Sequence, residues 1–329
     1  MIMATRNIMY FVEPLLPAFK KVLEESVPNG FKMWYWTDMS PEEQEDKLSQ
    51  SDYFLVGGIN ITADLIQKAR KLRHIQRTGA GYNVVDVEAA DKLSIPVSTL
   101  PGANGFAVAE HAVMMSLVLL RRLLEVDGET KSGSFPHQKY RETSYEMYGK
   151  TVGLLGFGVI GKAASVRFKS FGTNIIYYDP FRAPEQTEQE LQASYLSKEE
   201  VLAKADIVSL HIPYTKENKN YIGKAELALM KKTAFLINVS RGGLIDESAL
   251  YDALVSGQIA SAGIDNWAVE PCASSPLFSL CNVITTPHVA GGTLDTWQRQ
   301  VKWMFENILL AENSGNPKFT VGKAASIRI

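Results

Sequence analysis

Short apolar runs alternate with segments of helical periodicity along almost the whole chain. Residues 7–12, 33–36, 53–56, 74–77 and 96–99 read as strands, and the amphipathic stretch 62–71, headed by Thr62 as a cap, reads as a helix between two of them. The breaker cluster LPGANG at 100–105 closes this first series. A continuous helix is predicted from 106 to 126; its middle is apolar on nearly all sides, so it should be buried on nearly all sides, in a domain or subunit interface. A second series begins at Thr151 with TVGLLGFG, NIIYYD, ADIVSLHI, AFLINVS, SAGIDNW and NVITTP, the unbroken apolar runs of strands buried on both faces. Residues 293–313, with Trp297 and Trp303, form a last helix. The alternation predicts an α/β chain of two doubly wound parallel-sheet domains, and 329 residues exceed one comfortable core.

Charge removes one class of partner. Lys and Arg number 34 against 36 Asp and Glu, whereas nucleic-acid binding usually needs a basic excess. The two cysteines, Cys272 and Cys281, lack both the number for a disulfide framework and the spacing of a metal site. The apolar run 112–120, ended by Arg121 and Arg122, is too short to span a bilayer, and the N-terminus carries Glu13 and two prolines where a signal peptide needs an apolar stretch. A cytoplasmic protein with no metal and no membrane partner is expected.

The strongest local signal is TVGLLGFGVIGKAA, in which a strand leads through Gly156-x-Gly158-x-x-Gly161 into a helix. Gly156 permits the tight turn, Gly158 lets a pyrophosphate approach the backbone, and Gly161 lets helix and strand pack closely. The helix N-terminus offers free N–H groups to the phosphates. Asp179 ends the following strand, 18 residues after Gly161, where a carboxylate accepts the ribose hydroxyls and repels a 2′-phosphate. This context points to NAD; Arg182, three residues on, leaves some NADP use open.

Three later strand ends carry polar side chains: Arg241 in INVSRGG, Asp265 and Glu270 in GIDNWAVEP, and His288 in TTPHVAGG. Ligands of an open parallel sheet gather at the carboxyl ends of its strands, so these groups are candidates for one crevice. Hydride transfer from a carbon that bears a hydroxyl needs a base for the hydroxyl proton, and the reverse reaction needs the same group as an acid; histidine serves both. A carboxylate beside the imidazole orients it, which suits Glu270, and an arginine grips a substrate carboxylate, which suits Arg241. Taken singly, a histidine after a strand is more often structural than catalytic, and an arginine or glutamate on a loop is usually solvated.

The strings RTGAGYNVVDVEAA, VAEHAV, VGLLGFGVIG, LHIPYT, INVSRGGLID, GIDNWAVEP and TPHVAGGT occur in this order between residues 77 and 293. Together they resemble the successive motifs of the NAD-dependent, D-isomer-specific 2-hydroxyacid dehydrogenases, and the flanking regions fit as well. The resemblance implies a Rossmann NAD-binding domain, residues 102–293, inserted into a smaller flavodoxin-like substrate domain, residues 1–101 with 294–329. It implies Arg241, Glu270 and His288 as the catalytic set, with Arg241 and His288 also touching substrate beside backbone N–H groups of Ala80 and Gly81. Around the cofactor it places the glycine turn with Phe157, Val159 and Ile160, then Asp179, His211, Ile212, Pro213, Val239, Ser240, Asp265 and Gly291. The helix at 106–126 resembles the family's dimer element, so a homodimer is expected.

Two departures stand out. The family commonly reads Asp-Val-Phe where this chain has Asp265-Asn266-Trp267. Members that oxidise phosphoglycerate often carry a basic residue in the loop after the third strand, where this chain has VGGIN, residues 56–60, and the chain ends soon after the last helix, where a regulatory domain would follow. The sequence therefore leans toward a small unphosphorylated 2-keto acid of the glyoxylate or hydroxypyruvate type. D-3-phosphoglycerate dehydrogenase is the alternative, and a non-catalytic NAD-sensing scaffold or corepressor a third reading.

Overall fold

The computed structural model describes residues 5–324. The chain divides into two compact units, Met1–Asn104 with Leu294–Ile329, and Gly105–Thr293. Among the described residues the strands are β1 (Arg6–Phe11), β2 (Phe31–Tyr35), β3 (Tyr53–Val56), β4 (His74–Arg77), β5 (Val97–Ser98), β6 (Thr151–Leu155), β7 (Asn174–Tyr178), β8 (Ala193–Tyr195), β9 (Ile207–Leu210), β10 (Phe235–Asn238), β11 (Ser261–Ile264), β12 (Val283–Thr285) and β13 (Thr320–Val321).

The first unit holds a sheet of order β2-β1-β3-β4-β5-β13, parallel except for β13. Successive side chains of a strand point to opposite faces, and here both faces are covered. Ile8, Tyr10, Tyr53 and Leu55 pack with Trp297, Val301, Met304 and Ile308 of the helix Leu294–Ser314. Met9, Phe11, Phe54 and Val56 pack with Leu48, Ile66 and Ala90 on the other side. That two-sided burial is why these strands are apolar without alternation.

The second unit holds an all-parallel sheet of order β8-β7-β6-β9-β10-β11-β12. The chain runs outward from β6 through β7 to β8, then returns to build β9 to β12 on the other side. A crevice opens where the direction of winding reverses, between the carboxyl ends of β6 and β9.

Two local expectations need correction. The long helix does not run on to 126: it spans Gly105–Leu120, and a second begins at Leu123. The break is Arg122, in the left-handed region at φ 50°, whose guanidinium closes on Glu125 through Nε (2.9 Å) and Nη2 (2.6 Å). On the first of these helices Phe106, Glu110 and Met114, spaced four apart, form a stripe that the chain itself leaves exposed. The helix expected over 62–71 is Ala63–Lys68, and Thr62 holds its cap position without a side-chain cap bond. Strand β8 has no apolar run and was not foreseen from the pattern. No described helix is long and apolar enough to cross a membrane, and both cysteines are free thiols.

Candidate functional site

The glycine turn lies at the end of β6. Gly156 has φ 98°, and a Cβ there would stand 2.6 Å from the carbonyl of His211 and 2.8 Å from Ile212 Cγ2. A Cβ on Gly161 would meet the Gly156 carbonyl oxygen at 2.2 Å. Neither position admits a side chain without backbone movement. At Gly158, by contrast, the space is open, and the helix Val159–Lys169 starts immediately after it, with its first N–H groups unpaired by helix geometry. The turn therefore has the form that a dinucleotide pyrophosphate requires: a tight bend, close helix packing and a bare backbone face. Phe157 is buried and stacked on Tyr177 at 3.9 Å, so its ring belongs to the core, while Val159 is exposed and Ile160 half-buried beside it.

Asp179 is tied to this turn. Its Oδ2 accepts the N–H of Phe157 at 2.8 Å and its Oδ1 that of Phe181 at 2.9 Å. These bonds aim the carboxylate at the end of β7, where ribose hydroxyls would meet it. Arg182 is committed elsewhere: its Nε and Nη2 each lie 2.9 Å from Glu188, whose carboxyl is pulled down to about 2 by Arg182 and the Tyr177 hydroxyl. A guanidinium already bridged to a carboxylate is a poor receptor for a 2′-phosphate. On the far side of the crevice His211 bonds Ser209 Oγ at 3.0 Å, and burial pushes its imidazole down to about 4, so the ring is neutral at pH 7. Ile212 packs against the core and Pro213 accepts the Asn218 amide.

The next strand ends present the polar groups. After β10, the Asn238 amide accepts the N–H of Ser240 and donates to the carbonyl of Arg241, both at 3.0 Å, while Ser240 Oγ reaches the Leu210 carbonyl of β9 at 2.7 Å. Val239 is buried beneath this bend. Arg241 is exposed, and among the described residues it forms no ion pair; its Nη1 rests on the Ser240 carbonyl. Gly242 explains the closeness of the neighbouring loop: a Cβ there would stand 1.8 Å from the Trp267 carbonyl carbon and 2.3 Å from Ala268 N. The Arg241 loop is thus pressed onto the peptide that leads to Glu270.

Glu270 and His288 meet. His288 Nδ1 lies 2.7 Å from Glu270 Oε2, and Glu270 Oε1 accepts the N–H of Trp267 at 2.9 Å. With Nδ1 held, Nε2 is the ring nitrogen turned away from protein partners among the described residues. Asp265 takes a different place from a residue open to a ligand. It is fully buried, and its oxygens accept Thr286 Oγ1 (2.5 Å), Val289 N (2.9 Å) and Ala290 N (3.0 Å), while its own carbonyl accepts His288 N at 2.8 Å. Asp265 is the floor beneath the loop of His288 and Gly291. Trp267, where the family commonly has Phe, donates its ring N–H to the Thr286 carbonyl at 3.1 Å.

In the first unit, Ala80 and Gly81 sit on an exposed loop, and among the described residues neither N–H meets a protein acceptor. Arg77 braces that loop: Nε bonds the Gly81 carbonyl at 2.7 Å, and Nη1 bonds the carbonyls of Val56 (2.7 Å) and Gly57. The supporting residues Asn238, Gly242, Thr286 and Trp267 were not picked out as site residues from the sequence. The glycine pair of SRGG was the one visible signal, since a second glycine after a strand-end arginine marks a close approach.

The chain is similar to known proteins along most of its length. Residues 113–290 match the family described as D-isomer specific 2-hydroxyacid dehydrogenase, NAD binding domain. The chain is 38% identical over 259 residues to the D-3-phosphoglycerate dehydrogenase of Methanocaldococcus jannaschii, a match covering 78% of this chain and 49% of that one. The chain thus spans about half the length of that relative. It is also 38% identical over 268 residues to the glyoxylate reductase of Thermococcus gammatolerans, covering 80% of each. Among solved structures, the NAD-complexed D-isomer specific 2-hydroxyacid dehydrogenase from Lactobacillus delbrueckii ssp. bulgaricus is similar with a TM-score of 0.83 at 28% identity, over 97% of this chain and all of that one. By this family match and these relatives, the chain belongs to the D-isomer specific 2-hydroxyacid dehydrogenase family, and its second unit carries that family's NAD-binding domain.

Proposed function

We propose that this protein is an NAD-dependent oxidoreductase that interconverts a small, unphosphorylated 2-keto acid of the glyoxylate or hydroxypyruvate type and its D-2-hydroxy acid. The observation that carries this reading is the 2.7 Å pairing of His288 with Glu270. Glu270 holds Nδ1, so Nε2 is the atom that hands a proton to the substrate's carbonyl oxygen in reduction, or takes the hydroxyl proton in oxidation. Arg241 grips the substrate carboxylate and polarises the carbonyl beside it. The dinucleotide, when bound on the glycine turn and Asp179, supplies the hydride for the carbonyl carbon.

The lean toward an unphosphorylated substrate rests on residues 56–60. They contain no base, and the nearby Arg77 turns its Nε and Nη1 to backbone carbonyls. The 38% match to a D-3-phosphoglycerate dehydrogenase favours the second reading, a phosphorylated substrate. Turnover with NADH on glyoxylate, hydroxypyruvate and phosphohydroxypyruvate separates them: the first two should be preferred, and a clear preference for the phosphorylated acid reverses the assignment. Tight NADH binding with no turnover of any 2-keto acid would leave an NAD-sensing scaffold instead.

A homodimer belongs to the same reading. Leu117, Val118, Leu123 and Val126 line a groove of about 780 Å³ beside Phe135, which is 84% exposed. Light scattering should report twice the 36.4 kDa chain mass, and a monomer would remove the proposal. The cytoplasm is the compartment that two unpaired cysteines favour.

A further inference from the structure

The motif Val108–Val113, VAEHAV, has no role in the site as described so far. Its two polar side chains diverge. Glu110 faces outward and pairs with Arg167 at 2.9 Å. His111 is largely buried, with Nε2 3.1 Å from Thr286 Oγ1 and 3.7 Å from Asp265 Oδ1.

Counting protons settles which way these bonds run. The Thr286 hydroxyl has one proton, and it goes to Asp265 Oδ1 at 2.5 Å. Thr286 Oγ1 can then only accept from His111, so Nε2 must carry a hydrogen. Burial lowers the pKa of His111 more strongly than the Asp265 charge raises it. A neutral ring with its proton on Nε2 completes the chain of bonds from His111 through the Thr286 hydroxyl to Asp265. Asp265 in turn holds the N–H groups of Val289 and Ala290 and, through its carbonyl, that of His288. His288 needs this hold. Its φ is 56°, a left-handed conformation that a residue with a side chain adopts only when its surroundings enforce it.

We infer that His111 is a positioning residue for His288, acting through the Thr286 hydroxyl and the Asp265 carboxylate to keep the strained loop in the conformation that meets Glu270. The inference rests on the proposed role of His288, but one of its tests does not depend on turnover. His111 supplies a hydrogen-bond donor, not a charge, so glutamine can replace it and leucine cannot.

The experiment uses the full chain with NADH and its best 2-keto acid, comparing wild type with His111→Leu, His111→Gln and Thr286→Val. For His111→Leu, kcat should fall about tenfold while KM for NADH stays within about twofold. Hydrogen exchange measured by mass spectrometry should quicken in the segment 286–292 and stay unchanged elsewhere in the chain. His111→Gln should restore both readouts. Thr286→Val should match His111→Leu, and the double variant should be no worse than either single one. A His111→Leu enzyme with wild-type kcat, unchanged exchange in that segment, or a glutamine variant as impaired as the leucine one would overturn the inference. If the wild type turns over no 2-keto acid, the functional reading fails, and exchange alone decides whether His111 holds the loop.

Discussion

His288 Nδ1 and Glu270 Oε2 stand 2.7 Å apart although the two residues come from the ends of different strands, β12 and β11. The pairing fixes which ring nitrogen is left for a substrate. His288→Ala should therefore lower kcat by about 10²-fold or more through loss of proton transfer, with NADH affinity retained. Glu270→Gln keeps a hydrogen-bonding side chain but removes the charge, and should cost about tenfold. Steady-state kinetics with fluorescence titration of NADH checks both; a His288→Ala enzyme with near-normal turnover would refute the assignment.

Gly242 is the contact that couples the arginine loop to the glutamate loop. Because a methyl group there would overlap the Trp267–Ala268 peptide, Gly242→Ala must push Arg241 and Glu270 apart. A displacement of about 1 Å in a reacting constellation costs on the order of 10²-fold. We expect that loss in kcat/KM for the 2-keto acid, with the glycine turn still binding NADH. Wild-type kcat/KM in this variant would mean that the two loops do not need each other.

Much of this site was legible from residue order, and the rest was not, for identifiable reasons. The glycine turn could be read because three constraints, a tight bend, a bare backbone and a close packing, each demand the same residue within six positions. The inner strands could be read because burial on two faces removes polar residues from runs such as Phe235–Asn238. The support of the His288 loop beyond Glu270 could not. His111 meets Thr286 across 175 residues, and Asp265 meets Val289 across 24; neither spacing is periodic. The helix break at Arg122 was equally hidden, since a side-chain bond to Glu125 and a left-handed backbone leave no pattern in the letters.

Asp179 offers a test of cofactor choice. Its carboxylate is placed at the end of β7 by the N–H groups of Phe157 and Phe181, where the proposed cofactor site puts the ribose. Asp179→Ala removes both the acceptor for a 2′-hydroxyl and the charge that repels a 2′-phosphate. The ratio of kcat/KM for NADH over NADPH should fall at least about tenfold, since a hydrogen bond to a charged group is worth about 1.5–3 kcal/mol. Kinetics with both cofactors measures this directly, and an unchanged ratio would place the ribose elsewhere.

His74 sets a pH dependence of stability. It is fully buried in β4, with Nε2 2.9 Å from Ser98 Oγ, and burial pushes its imidazole down to about 3 from an ordinary 6.5. The folded chain therefore keeps His74 neutral between those values while the unfolded chain binds a proton there. The stabilisation is complete above pH 6.5 and is lost as pH falls toward 3, at up to about 1.4 kcal/mol per pH unit. Between pH 7 and pH 5 this one residue accounts for about 2 kcal/mol. Urea unfolding at the two pH values, for wild type and for His74→Gln, isolates that contribution because glutamine does not titrate. The wild type should lose about 2 kcal/mol more than the variant over that interval; equal losses would show that His74 takes up its proton in the folded state.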